Sequence, residues 1–261
     1  MCSVSWLVNK QGYQVFFNRD EQKTRTVAKP PEVLNIEGVN VVMPIDPVGS
    51  GSWISLNEFG LSLCLLNNYQ GQVPKGELVS RGMLLKQLSI SSTVAEVSLA
   101  FSRIDLLQFA PFTLLAFDPS LNASKSDVMA YAWDGVESSI FPTDCPLFSS
   151  GVDLERVKDA RLNMYKEIIA AGKDKHSLLK FHTHHHPQYS HLSTCMHRED
   201  AQTVSFTLLE VTGTQRKMSY VAGSPCQNLT HKALEQGAVH IETSQAYGSV
   251  ASFRSITNTI S

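Results

Sequence analysis

Hydrophobic and polar positions alternate from the start of the chain. In CSVSWLV, Cys2, Val4, Trp6 and Val8 fall on one side of an extended backbone and Ser3 and Ser5 on the other, the pattern of a strand with one buried face. YQVFFN follows a turn at Lys10-Gln11-Gly12, so the pair predicts a hairpin. Its second strand is expected to end at Asn18, which returns Arg19, Asp20 and Glu21 to the side of Cys2. WISLNEFGLSLCLLNNY predicts another hairpin, turning near Glu58-Phe59-Gly60, whose second arm runs from Leu61 to Leu66 and ends at Asn67 and Asn68. FTLLAFD and VMAYAWDGVESSIF read as strands, the latter folding back at Asp134-Gly135. SLLKFHT, TVSFTLLEV and KMSYVAG read as later strands. Residues 27–52 are rich in proline and glycine and predict a long ordered loop.

A helical period appears where Leu154, Val157, Met164 and Ile168 form one stripe, predicting a helix over 154–171 with Asp153 to cap it and Gly172 to end it. ELVSRGMLLKQL predicts a helix, and Thr93 with Glu96 predicts a capping box opening a short one. Neither a repeat nor a linker divides the sequence. Strands, helices and strands again predict one domain over 1–261, with sheets covered by helices rather than a regular βαβ alternation.

Composition narrows the partners. With 43% hydrophobic and 18% charged residues the chain is globular rather than disordered. Lysine and arginine number 22 against 24 aspartates and glutamates, so the net charge of −2 gives no footprint for nucleic acid. No apolar run is long enough for a membrane span, and the first residues lack the basic start and apolar core of a secretion signal. The five cysteines, Cys2, Cys64, Cys145, Cys195 and Cys226, are scattered and odd in number, which favours free thiols in a reducing cytoplasm over a disulfide framework. The sequence assigns no oligomeric state.

Cys2 directly follows Met1. A thiol with a pKa near 8.5 needs a base to become a nucleophile, and a free α-amine, with a reference pKa of about 7.7–8.0, suits neutral pH better than a lysine near 10.4. If Met1 is removed, thiol and amine belong to the same residue. While Met1 remains, the Cys2 nitrogen is an amide without a basic lone pair. Arg19 would stabilise a thiolate or a substrate carboxylate, Asp20 would hold the α-ammonium, and the side-chain amide of Asn68 or Asn67 would face a developing oxyanion. Each residue also has an inert reading: a strand cysteine, a solvated charged turn, an asparagine turn.

The segments MCSVSW, FFNRDEQKTR, GSGSWISLNEFGLSLCLLNNY and SRG resemble the NRDE family, named for the motif at Asn18-Arg19-Asp20-Glu21 and including the eukaryotic transport and Golgi organisation proteins. STCMHREDAQTVSF and AGSPC resemble pieces of bacterial members. That family is similar to the N-terminal nucleophile hydrolases, and the resemblance implies an α+β fold, a four-layer αββα sandwich of two stacked antiparallel sheets. It further implies that Cys2, freed by processing, attacks an amide as the cysteine of bile salt hydrolases and penicillin V acylases does. Arg19 and Asp20 then match the arginine and aspartate of those enzymes, although here the two are adjacent. Asn68, or Asn67 with the register moved by one, matches their asparagine after a central strand, while their later asparagine and arginine find no match. The expected function is an amidohydrolase that cleaves a linear, non-peptide amide through a thioester. The alternative is a non-hydrolytic binding or trafficking protein for an apolar small molecule, haem being one ligand linked with the family.

FHTHHHPQYSHLSTCMHRED carries a run of histidines. In an extended segment His182, His184 and His186 would share one side and could offer nitrogen ligands to zinc, copper or haem, but the run lacks the spacing of a known structural zinc motif, and Pro187, Tyr189 and Ser190 point to an exposed loop. It is read as a polar or pocket-lining loop. No metal and no cofactor is assigned. Trp6, Trp53, Phe59 and Tyr69 are candidates either for an apolar pocket or for the core.

Overall fold

Strands β1 (Cys2–Asn9) and β2 (Gly12–Gln22) form the predicted hairpin around a two-residue turn. In this computed structural model, which describes residues 2–242, Gly12 takes a positive φ of 143°, and a Cβ there would lie 2.1 Å from the carbonyl oxygen of Val211. Only glycine lets the turn pass so close to its neighbour. Met1 and residues 243–261, which the one-domain expectation also covers, lie outside the described residues. Strand β2 continues four residues past the expected end at Asn18, so Arg19, Asp20 and Glu21 are ladder residues. The hairpin sits inside a six-stranded antiparallel sheet with β10 (Leu147–Ser149), β11 (Ala201–Thr212), β12 (Arg216–Ala222) and β13 (Ala238–His240), in the order β10-β1-β2-β11-β12-β13.

A second antiparallel sheet has seven strands in sequence order: β3 (Lys29–Ile36), β4 (Val39–Ile45), β5 (Ile54–Asn57), β6 (Ser62–Asn67), β7 (Phe112–Phe117), β8 (Val128–Trp133) and β9 (Ser138–Thr143). The hairpin of β3 and β4 replaces the long loop expected over 27–52. Pro30 and Pro31 obscure it in the sequence, but they stand in an edge strand at a register shift, where a missing N–H costs no ladder bond. The Glu37-Gly38 turn, with both residues at positive φ, closes it.

Side chains facing inward from both sheets make the central core: Val4, Trp6, Val15 and Phe17 meet Val42, Leu56, Leu66, Leu115 and Phe117. Helices α1 (Arg81–Leu88) and α2 (Val94–Phe101) cover the outer face of the second sheet through Leu84, Leu88, Val97 and Phe101. Thr93 caps α2 by accepting from the Glu96 N–H, whereas the Glu96 carboxylate reaches Ser92 rather than the cap residue. On the first sheet's outer face lie α3 (Leu154–Ile169), α4 (Lys175–Thr183) and α6 (His231–Gln236), contributing Tyr165, Leu178, Phe181 and Leu234. Helix α3 ends two residues before the predicted 171, and Asp153, at φ 48°, makes no side-chain cap bond. The result is the expected α+β sandwich of two stacked antiparallel sheets between helical layers.

SLLKFHT is helical, not extended. Asp174 and Ser177 exchange the two bonds of a capping box and start α4, a signal stronger than the β-like composition of the segment. His182 therefore points away from the histidines that follow and packs among Phe16, Phe181 and Phe206. Asn18 donates to the carbonyls of His182 and Thr194, so its Oδ1 accepts from His182 Nδ1–H at 3.1 Å. That leaves Nε2 to accept from the Ser5 hydroxyl at 2.8 Å. Burial, reinforced by the charge of Arg161, lowers the pKa of His182 to about 3.

The unfolded chain, with a histidine pKa of about 6.5, takes up a proton that the folded chain refuses over the interval below it. The stability contributed by neutral His182 is complete above the unfolded pKa and drains as pH falls toward about 3. The slope should reach about 1.4 kcal/mol per pH unit. Urea denaturation across this window should show His182→Gln, which cannot titrate, losing stability less steeply than the native chain. Parallel slopes would mean that His182 is protonated in the fold.

Candidate active site

Strand pairing sets Cys2 directly across from Arg19, so the two ends of the first hairpin meet as the sequence predicts. Both point between the sheets, where Cys2 forms the end of the central core. A cleft of about 290 Å³ opens at this point, and among its walls are Cys2, Arg19, Asp20, Asp46, Trp53 and Asn67. The Arg19 guanidinium lies 3.9 Å from the centre of the Trp53 ring and also pairs with Glu21 at 3.3 Å and Asp46 at 3.4 Å. Stacking and ion pairing thus hold its charge beside Cys2. Asp46 in turn binds Arg25 at 2.6 Å. Burial alone would raise the Asp46 carboxyl, but the Arg25 hydrogen bond, the Val48 N–H and two guanidinium charges outweigh it and keep it below the usual carboxylate range.

Asp20, one residue on, turns its carboxylate to the opposite side of the sheet. Thr203 donates to Oδ1 at 2.6 Å, and Arg161 of α3 pairs with Oδ2 at 3.5 Å. Arg161 also donates to Ser3 Oγ at 2.6 Å and to the Leu192 carbonyl at 3.3 Å. Thr203 reaches Asp20 because β11 bulges: Thr203 pairs with Asp20 but Ser205 pairs with Arg19, leaving Val204 as an extra residue. Burial raises the Cys2 thiol pKa and the Asp20 carboxylate adds to the rise, with the Asp20 backbone and the Arg19 charge opposing them. As long as the neighbouring nitrogen is an amide, the thiol is protonated at neutral pH.

The two asparagines separate. Asn67 lines the cleft and donates to the Tyr69 hydroxyl at 3.0 Å. Asn68 instead shapes the local turn, its Oδ1 accepting from the Gln70 N–H and its own N–H bonding the Pro111 carbonyl. Of the four aromatic candidates, Trp53 and Tyr69 line the cleft, Trp6 packs edge-on against Phe117 in the core, and Phe59 lies in the turn beside Arg216. Gly51 and Gly82 form part of the wall by close backbone approach: a Cβ on Gly51 would lie 2.2 Å from the Gly82 carbonyl carbon.

Sequence reasoning missed Arg161, Thr203, Asp46 and Arg25. Arg161 stands on an otherwise amphipathic helix that promised only core contacts, yet it is 1% exposed. Its signal was a charge within four residues of Val157 and Tyr165 on the buried face. Asp46 and Arg25 flank the hairpin of β3 and β4, whose prolines and glycines give the sequence the look of a loop. His184 and His186 line a small cavity beside Arg161, separate from His182, so the shared face expected of the three histidines does not form. Among the described residues no helix is long and apolar enough to cross a membrane.

Solved structures share the fold. Penicillin V acylase from Agrobacterium tumefaciens superposes with a TM-score of 0.51 at 12% identity, covering 85% of this chain and 83% of its own. A cysteine-to-alanine mutant of conjugated bile acid hydrolase from Clostridium perfringens gives 0.53 at 11%, covering 93% and 92%. The N-acylethanolamine-hydrolyzing acid amidase ortholog of Caenorhabditis elegans gives 0.52 at 13%, covering 91% and 99%. No curated protein matches the sequence. The family described as Transport and Golgi organisation 2 matches residues 1–252, and the chain, whose Arg19, Asp20 and Glu21 line the cleft, belongs to that family.

Proposed function

We propose that the chain is an N-terminal-cysteine amidohydrolase acting on a linear, non-peptide amide. The observation that carries this reading is the position of Cys2: a thiol at the floor of a polar cleft, opposite a guanidinium held by Trp53 and two carboxylates. The names of the structural neighbours, an acylase, a hydrolase and an amidase, lend the same chemistry, although identities of 11–13% carry only the fold.

Removal of Met1 exposes the α-amine of Cys2. The amine takes the thiol proton as sulfur attacks the amide carbon, and the resulting oxyanion is met by the Asn67 side-chain amide. The ammonium then protonates the departing nitrogen, the C–N bond breaks, and a thioester remains. Water gives its proton to the same amine, attacks the thioester, and releases the acid while sulfur recovers a proton. Arg19 stabilises negative charge on sulfur or substrate. Arg161 and Thr203 are positioning residues that act through Asp20.

Intact-mass measurement of untagged protein should find it lighter by one methionine residue; chains that all keep Met1 would remove the base and end the mechanism. Screened against an amide library, processed protein should give a Cys2 acyl adduct and turnover, and Cys2→Ala neither. Turnover that persists in Cys2→Ala refutes the nucleophile, and no adduct with any amide class favours the non-hydrolytic binding protein. With a substrate in hand, Asn67→Ala should lower kcat by about 10²- to 10³-fold with little change in KM, whereas Asn68→Ala should spare kcat.

A further inference from the structure

Behind Asp20, on the helix side of the first sheet, three separate segments bring together two imidazoles and two thiols. His185 follows α4, Cys195 and His197 lie in the loop before β11, and Cys226 is in the short helix α5 (Pro225–Asn228). One ligand atom each from His185, His197 and Cys226 lies within 4.8 Å of the other two. His197 Nε2 is 3.3 Å from Cys226 Sγ and 3.6 Å from Cys195 Sγ. A tetrahedral zinc ion, with nitrogen at about 2.0–2.1 Å and sulfur at about 2.3 Å, spaces its ligand atoms about 3.5 Å apart. The two edges at His197, 3.3 and 3.6 Å, match that spacing.

The surroundings are also those of a metal site. The Cys195 carbonyl accepts from His185 Nδ1 at 3.2 Å, which fixes the tautomer and leaves the Nε2 lone pair free for a metal. The Cys226 backbone N–H donates to Cys195 Sγ at 3.4 Å, an orientation that supports a thiolate. Cys195 is fully buried, while His185, His197 and Cys226 are half-buried, so an ion has a route in. Imidazole with thiolate selects a borderline-soft cation over magnesium or calcium.

We propose that His185, Cys195, His197 and Cys226 form a structural zinc site. Binding displaces one proton from each thiol, so that two thiolates balance the charge of Zn²⁺. All four positions are filled by protein, as in closed structural sites. The ion would pin the end of α4, the loop 184–197 and α5 to one another. The site does not depend on the amidohydrolase reading, because its binding assay involves no turnover.

The full-length protein, stripped with a chelator and desalted, should retain one equivalent of Zn²⁺ on titration. Co²⁺ in its place should give the intense visible bands of tetrahedral coordination together with thiolate-to-cobalt charge transfer. Cys226→Ser and His185→Ala should each weaken Zn²⁺ binding by at least about tenfold to a hundredfold. His191→Ala, an exposed histidine of the same run, should leave it unchanged. A six-coordinate cobalt spectrum without charge transfer refutes the site from the native chain alone, even if a variant fails to fold. Zn²⁺ affinity unaltered in a folded Cys226→Ser, or a protein found two hydrogens lighter with Cys195 and Cys226 joined and no zinc uptake, also overturns it.

Discussion

The arrangement around Cys2 depends on one buried ion pair. Asp20 and Arg161 have side chains 0% and 1% exposed, and removing such ions from water costs several kcal/mol each. Attraction at 3.5 Å does not offset that alone; the remaining hydrogen bonds do. Arg161 donates to Ser3 on β1 and to the Leu192 carbonyl, and Asp20 accepts from Thr203 on β11. These three bonds each tie a different segment to the pair. Because one charge left without the other would cost on the order of 3–5 kcal/mol, β1, β2, β11 and α3 are held in one mutual geometry. Cys2 inherits that geometry, being the residue before Ser3 and directly across from Arg19.

The adjacency of Arg19 and Asp20 then has a simple meaning. Successive strand residues face opposite sides of a sheet. Arg19 belongs to the space between the sheets, with Cys2, Trp53 and Asp46; the Asp20 carboxylate belongs to the helical side, with Arg161 and Thr203. One motif thus supplies a charge to the cleft and an anchor behind it. The same alternation divides β1: Cys2, Val4 and Trp6 face the central core, while Ser3 and Ser5 bond Arg161 and His182.

Much of this was legible in the sequence where the signal is local. The period of two in CSVSWLV and the turn after Asn9 suffice to bring Cys2 to Arg19, and the Asp134-Gly135 turn marks the hairpin of β8 and β9. Prolines hid β3 because their penalty vanishes only at an edge, which is a property of the finished sheet. A capping box over four residues turned SLLKFHT into a helix against its strand-like composition. Asn67 and Asn68 were separable only once the strand end was placed, since one register step decides which amide meets the cleft. Arg161 and Thr203 sit more than 140 and 180 positions from Asp20, and no local pattern encodes such a contact.

The bulge in β11 joins the two sites of the molecule. The Met196 N–H donates to Thr203 Oγ1 at 2.8 Å, so the hydroxyl proton of Thr203 must point elsewhere, and Asp20 Oδ1 at 2.6 Å is where it goes. A second bond, from the Thr203 N–H to the Met196 carbonyl, fixes the same residue from the backbone. Met196 lies between Cys195 and His197, the two residues that bring the loop to the metal ligand set. Anchoring those neighbours fixes Met196, Met196 orients the Thr203 hydroxyl, and Thr203 holds the carboxylate of Asp20, whose neighbour Arg19 stands across from Cys2. The histidine-rich loop is thus continuous, through four residues, with the cleft on the other side of the sheet.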